Sequence, residues 1–242
     1  MVNRHNLVFK NSSKVFAALR ATILAAVVLV LFPLSSNGQS SWYEEEPSRI
    51  FHGGLVAGGN FTQVDGDNYA GYGKTGLNAG AIVFTHFTGS AAASLEILYA
   101  QKGARASHAK RSLGNGNYII ESYRIGLNYA EVPILLHYYD KRKNYFGAGM
   151  SYSQLINNTE EATTTPGLPN NVDLEKQYPF KKYDLNFIIG ANVKVYKGLY
   201  LNARFAYSVI PVRKNENVNP ILGRAEQYNN IVTLRLMYLF NK

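Results

Sequence analysis

A strict alternation of apolar and polar residues at the end of the chain is the feature that most constrains its fold. After Asn230, the even-numbered residues as far as Phe240 are all apolar or aromatic, while the odd-numbered series carries Arg235 in its middle. A repeat of two places alternate side chains on opposite faces of a β-strand and does not fit a helix. Such a strand suits a soluble sandwich, or a membrane barrel with lipid on one side and a polar lumen on the other.

The same alternation recurs along the chain and indicates a series of strands. The faces are clearest in the second half, where Phe187 and Ile189 alternate with Asn186 and Gly190. The first two segments are rich in glycine, so their outward faces cannot be assigned from the pattern. The eight candidate strands are residues 51–63, 74–87, 91–103, 119–139, 144–157, 183–196, 199–210 and 228–240.

The connections between these strands alternate between short and long. The short connections lie at residues 88–90, 140–143 and 196–198. The long connections lie at residues 64–73, 104–118, 158–182 and 211–227. In an outer-membrane barrel, short turns face the periplasm and long loops face outside, whereas a soluble sandwich has no reason to sort its loops. The sequence therefore predicts an all-β fold, an eight-stranded antiparallel up-and-down transmembrane β-barrel.

The N-terminal segment has the order of a secretory signal peptide. Residues 1–20 carry four cations and no acid, residues 21–34 are almost entirely apolar, and small residues precede a predicted cleavage site before Gln39. An uncleaved anchor helix is the alternative, but the apolar run is shorter than the span of about 20 residues that a bilayer needs. The predicted domains are a signal peptide at 1–38, a periplasmic lead-in at 39–50 and the barrel at 51–242. For an exported chain, a nucleic-acid partner is not expected.

Charged residues of both signs fall on the faces that the alternation assigns to the lumen. An eight-stranded barrel is just wide enough for side chains to fill, and an isolated buried charge is very costly. We therefore expect these charges to pair as a polar plug; a narrow or gated ion path is the alternative. The predicted lumen network is Glu96, Glu131, Asp184, Lys194, Arg204 and Arg235.

The last strand must pair with the first, because lipid does not tolerate an open sheet edge. Its aromatic end is also similar to the C-terminal recognition signal of outer-membrane barrels. That similarity implies that Leu236, Tyr238 and Phe240 form an assembly signal read by the barrel-assembly machinery.

Two long connections are candidate contact sites. The connection at 104–118 carries Arg105, Lys110 and Arg111 without an acid. These residues are predicted to contact lipopolysaccharide phosphates through charge-assisted hydrogen bonds, unless the loop is simply basic and solvated. The connection at 158–182 is either an exposed binding loop or irregular chain.

The sequence offers little support for metal or catalytic chemistry. It has no Cys, which excludes disulfides and thiolate metal sites. His52, His86 and His137 fall near the predicted inner rim, but their spacing gives weak support for a metal site. His108 lies close to Ser107 and Ser112, and no pair can be placed together for nucleophilic catalysis. We expect no cofactor, no metal and no enzymatic activity.

Four segments resemble the PorT-like outer-membrane beta-barrel family of Bacteroidetes, whose barrel is of the OmpA-like eight-stranded type. They are LEILYAQKG (95–103), LNYAEVPILLHYY (127–139), KYDLNFIIGANVKV (182–195) and GLYLNARFAYSVI (198–210). The resemblance covers about residues 51–240 and implies an integral protein of the bacterial outer membrane. In an eight-stranded barrel whose short turns face the periplasm, both termini are expected in the periplasm. The resemblance also implies a structural or accessory role supporting type IX protein secretion through secretion-system partners. A small passive, porin-like channel is the first alternative, and an outer-membrane enzyme is a remote one.

Overall fold

The computed structural model describes residues 51–67, 69, 71–88, 90–112, 119–140, 144–165, 174–218 and 222–240. The predicted signal peptide and lead-in lie outside the described residues, as do parts of several loops. None of the described helices has the length and apolar character needed to cross a membrane.

Eight antiparallel strands form a closed ring, which confirms the predicted fold. Each strand pairs with its neighbours in chain order, and the last strand pairs with the first from Gly54↔Leu239 to Asp67↔Gly223. The elements are β1 Phe51–Asp67, β2 Lys74–His86, β3 Ala91–Ser112, β4 Ile119–Tyr139, β5 Tyr145–Thr165, α1 Leu174–Gln177, β6 Tyr183–Tyr196, β7 Leu199–Ser208, a 3-10 turn Asn215–Asn217 and β8 Gly223–Leu239. We call the end with the short connections the turn end and the opposite end the loop end.

The strands extend further into the predicted loops than the alternation indicated. The pairing of β3 with β4 continues through Arg105↔Arg124 to Ser112↔Ile119, so most of the predicted loop 104–118 is strand. Strand β5 likewise runs to Thr165, and β8 begins at Gly223. The predicted boundaries of these loops were therefore wrong. Beyond the apolar belt the outer face of a strand meets water instead of lipid, so the outward residues are no longer apolar. The alternation therefore fades while the backbone pairing persists.

The outer surface of the barrel carries an apolar belt. On β8, Leu234 and Leu236 are 48% and 52% exposed, whereas Arg235 between them is 2% exposed. Aromatic residues border the belt on both sides. At the turn end they are Phe51, Tyr138, Phe146, Tyr196, Tyr238 and Phe240; at the loop end they are Phe61, Tyr99, Tyr152 and Tyr183. Tyr145 also lies at a strand end, but its side chain is buried in the lumen.

Glycine explains why the faces of β1 could not be read from the sequence. Gly58 lies directly opposite Arg235 in the β1–β8 register. A Cβ atom at Gly58 would lie 2.3 Å from the Cα atom of Arg235, so no larger residue fits there without displacement. The missing side chain allows β1 and β8 to approach closely where Arg235 enters the lumen.

Candidate functional site

The centre of the lumen holds a buried carboxylate between two arginines. Arg235 donates from Nη2 to Glu96 Oε2 at 2.8 Å, and Arg204 forms a second, bidentate pair with the same carboxylate. Arg235 also donates from Nε to Asn202 Oδ1 at 2.7 Å and from Nη1 to Asn78 Oδ1 at 3.1 Å. Glu96 is 1% exposed, so its negative charge is compensated by the two arginines rather than by water.

A second cluster of opposite net sign lies nearer the loop end. The Nζ atom of Lys102 lies 3.2 Å from Glu131 and 3.6 Å from Asp184. Ser151 donates to Glu131 at 2.6 Å, and Asn229 donates to Asp184 at 2.9 Å. The first cluster has a formal net charge of +1, and the second cluster has a formal net charge of −1. Together the two clusters are formally neutral.

The structure brings five of the six predicted lumen residues into these two clusters. Lys194 lies apart: it is only partly buried near the turn end and forms no salt bridge with Glu96, Glu131 or Asp184. Lys102 takes the role that the sequence gave to Lys194. Lys102 lies four residues after Leu98 on β3, so both side chains point into the lumen. Continuing the alternation of β3 from Glu96 and Leu98 would have assigned Lys102 to the lumen.

The remaining lumen is filled by side chains. A small cavity of about 20 Å³ between the clusters has room for about one water molecule. Toward the turn end, the ring of Tyr145 packs 4.6 Å from that of Tyr139 and 5.6 Å from that of Tyr200. These rings belong to a buried cluster of Val56, Ile82, Phe84, Ala92, Leu98, Tyr139, Tyr145, Tyr200, Met237 and Leu239.

The profile of the family described as "Outer membrane protein beta-barrel domain" matches residues 38–213. The chain belongs to this family. It is therefore an outer-membrane barrel protein, and its apolar belt is the surface that faces lipid.

Three solved structures are similar to this outer-membrane barrel. Ail of Yersinia pestis, solved with the heparin analogue sucrose octasulfate, is 11% identical with a TM-score of 0.40, covering 78% of this chain and 99% of that chain. OprG from Pseudomonas aeruginosa is 11% identical with a TM-score of 0.35, covering 79% and 95%. AlkL, solved by solid-state NMR in DMPC bilayers, is 16% identical with a TM-score of 0.36, covering 84% and 97%. No curated protein matches the chain.

A buried cap closes the loop end of the outer-membrane barrel. Arg213 forms a bidentate ion pair with Glu160 at 3.1 and 2.6 Å, Tyr123 donates to the same carboxylate at 2.6 Å, and the Arg213 guanidinium lies 3.5 Å from the Phe180 ring centroid. Glu160 and Arg213 lie in the predicted long connections 158–182 and 211–227, and their pairing was not predicted. Nothing local in the sequence signals it, because the partners are 53 residues apart.

Ionisation in this cap is shifted by burial. The cap lies beyond the apolar belt, where β1 ends at Asp67. Burial raises the pKa of the Asp67 carboxyl to about 7. Burial, reinforced by the neighbouring Glu160 carboxylate, raises the pKa of the Tyr123 phenol well above its usual value.

The histidines of the turn end are brought together only in part. The rings of His52 and His86 lie 5.1 Å apart, while His137 forms a 2.7 Å hydrogen bond with Ser94. Within the described part of the chain, no group of three or more His, Cys, Asp or Glu side chains could hold a metal ion. The Ser94–His137 pair was also missed from the sequence. Both side chains are buried, and His137 packs 5.0 Å from Phe84, so the hydrogen bond fits a packing role.

The predicted assembly signal lies at the β1–β8 closure. Leu236 and Tyr238 face outward, and the backbone N–H of Phe240 donates to Gly53 at 2.9 Å. Of the predicted lipopolysaccharide contacts, Arg105 is exposed on β3. The side chains of Lys110, Arg111 and His108 lie outside the described residues.

Proposed function

We propose that this outer-membrane barrel is a non-enzymatic structural or accessory protein whose lumen stays closed. The observation that supports the proposal is the continuous filling of the lumen. An aromatic layer at the turn end, the two charged clusters and the loop-end cap follow one another along the barrel axis. An eight-stranded barrel filled in this way leaves no continuous water path through the described residues.

The closed lumen argues against the passive channel and is tested by conductance. Purified protein in planar bilayers is expected to give no discrete current steps, because the Glu96 cluster and the Arg213–Glu160 pair block the axis. A general porin in the same bilayers provides the positive control for insertion and detection. Reproducible unitary steps from the wild-type barrel would overturn the closed-lumen proposal and favour the channel.

An accessory barrel acts through partners, and we propose that these belong to type IX secretion. The four PorT-like segments support this proposal, since they span β3, β4, β6 and β7. A filled lumen also leaves the two rims and the lipid-facing surface as the places where a partner can bind. Binding to lipopolysaccharide and, during assembly, to the barrel-assembly machinery are further parts of the proposal.

Affinity purification from outer membranes in mild detergent tests the partner proposal. Secretion-machinery components are expected at near-stoichiometric amounts with the tagged barrel, as measured by quantitative mass spectrometry. An unrelated eight-stranded barrel with the same tag controls for non-specific retention. Recovery of the barrel as a clean monomer, under conditions that preserve known secretion complexes, would contradict the secretion role.

A further inference from the structure

Two arginines face each other on the outer surface near the loop end. Arg105 of β3 and Arg124 of β4 are direct cross-strand partners, and both are exposed. Like charges directly opposite each other on one face of a sheet are destabilising. Within the described residues neither guanidinium takes part in a salt bridge, although Glu161 lies opposite Arg124 on β5.

A third cation, Lys74, lies within reach of the charge of Arg124. Its side chain is largely buried, and Nζ donates to the carbonyl oxygen of Ile125 at 2.8 Å. Lys74 lies beyond the apolar belt at the start of β2. Burial, reinforced by the positive charge of Arg124, lowers the pKa of its ammonium to about 8. No described carboxylate forms a salt bridge with it.

A pair of glycines provides the space for this ammonium. Gly103 and Gly126 are cross-strand partners two residues below Arg105 and Arg124 on the same strands. Cβ atoms at these glycines would lie 3.2 and 3.4 Å from Lys74 Nζ. Their absence allows the Lys74 ammonium to approach the backbone of β3 and β4 two residues from Arg105 and Arg124.

We propose that Lys74, Arg105 and Arg124 form a binding site for a phosphate group at the loop end of the barrel. Two planar guanidinium forks and an ammonium are the donors that phosphate binding uses, and an anion between them relieves their mutual repulsion. The arginines lie on the outward faces of their strands, beyond the lipid-facing belt, at a level suited to the headgroups of the adjacent leaflet. A phosphorylated glycolipid and free phosphate present the same chemistry.

This proposal deepens the lipopolysaccharide part of the proposed function and rests on the placement of the loop end outside the cell. It keeps Arg105 from the predicted set and adds Arg124 and Lys74. The side chains of Lys110 and Arg111 lie outside the described residues, so their part in lipopolysaccharide binding stays a prediction. The lumen takes no part in it. The conductance and partner-retention experiments can therefore contradict the proposed function without contradicting the phosphate site. Likewise, a failed phosphate-binding test leaves the closed-lumen and secretion proposals standing.

The test measures the affinity of the purified full-length barrel for lipid A that bears two phosphates. The barrel is titrated with this lipid in detergent, and the bound fraction is read by native mass spectrometry. The same lipid with its phosphates removed and inorganic phosphate alone, measured by calorimetry, are the second and third probes. The test variant is Arg105→Gln with Arg124→Gln, and Lys74→Gln is made separately. The control is Lys182→Gln with Lys214→Gln, which removes two exposed loop-end cations elsewhere on the rim.

The wild type is expected to bind the phosphorylated lipid at least about tenfold more tightly than the dephosphorylated lipid, because charged hydrogen bonds are lost with the phosphates. The arginine double variant should lose about tenfold or more, and Lys74→Gln a similar factor, while the control stays within about twofold. If the wild type binds inorganic phosphate and the arginine variant does not, free phosphate is a ligand of the site. If the wild type binds the phosphorylated lipid but not inorganic phosphate, the ligand is the glycolipid. Equal affinities of the arginine variant and the control, or no phosphate-dependent binding by the wild type, would overturn the proposal.

Discussion

Glu96→Gln is expected to destabilise the folded barrel by about 3–5 kcal/mol, because it leaves uncompensated charge buried in the lumen. Glu96 is the shared partner of Arg204 and Arg235, and all three side chains are largely buried. The amide has nearly the same size as the carboxylate, so the substitution removes charge without creating a cavity. The measurement is urea unfolding of the refolded barrel in detergent, followed by far-UV circular dichroism.

Two further variants separate charge from packing in this cluster. Glu121→Gln removes an exposed carboxylate that accepts a hydrogen bond from Thr165, and it should change stability by less than about 0.5 kcal/mol. Replacing Glu96, Arg204 and Arg235 together by Leu, Met and Met should recover much of the loss, since apolar groups can substitute for a complete buried ion network. A change below about 1 kcal/mol in Glu96→Gln would show that the arginines reach solvent or another counter-charge.

Leu236→Arg is expected to lower insertion and stability by about 2–4 kcal/mol, the cost of a lipid-facing arginine near the middle of the bilayer. Leu236 is 52% exposed within the apolar belt, and Leu201 lies opposite it on β7. Leu201→Arg should have a similar effect, and the double variant a larger one, because the like charges would be direct neighbours. The yield of folded barrel in lipid vesicles, together with its unfolding free energy, measures these effects.

Ala225→Arg is the matched control for this prediction. Ala225 is exposed on the same strand but lies beyond the apolar belt, so the same substitution there should cost less than about 0.5 kcal/mol. An unchanged yield of folded barrel for Leu236→Arg would mean that the outward face of β8 does not meet lipid. Equal losses in both variants would point to a general effect of added charge.

Sequence periodicity was sufficient for most of the fold. The inward and outward faces of β4, β6, β7 and β8 agree with the alternation, because lipid and lumen impose opposite polarity on alternate residues. The alternation does not reveal the faces where that contrast is weak. Glycines hide the faces of β1, and beyond the belt the extensions of β3 and β5 have water on their outer side.

The candidate site was predictable at the level of residue types and faces but not of contacts. Alternation assigned Glu96, Arg204 and Arg235 to the lumen, although the two ion pairs join residues 108 and 139 positions apart. The Arg213–Glu160 cap and the Ser94–His137 hydrogen bond were not found from the sequence. Their partners lie on different strands or loops, and no local pattern links them.

The sequence by itself determined that the chain forms a closed membrane barrel with charges of both signs inside. The physical reason is local: each strand must present apolar side chains to lipid and cannot leave its backbone edge unpaired. Only the tertiary structure decided that the lumen charges balance in two clusters, that Lys102 rather than Lys194 joins them, and that the Lys74 ammonium lies at Gly103 and Gly126. Those outcomes depend on the register and closure of eight strands, which bring together residues that are far apart in the chain.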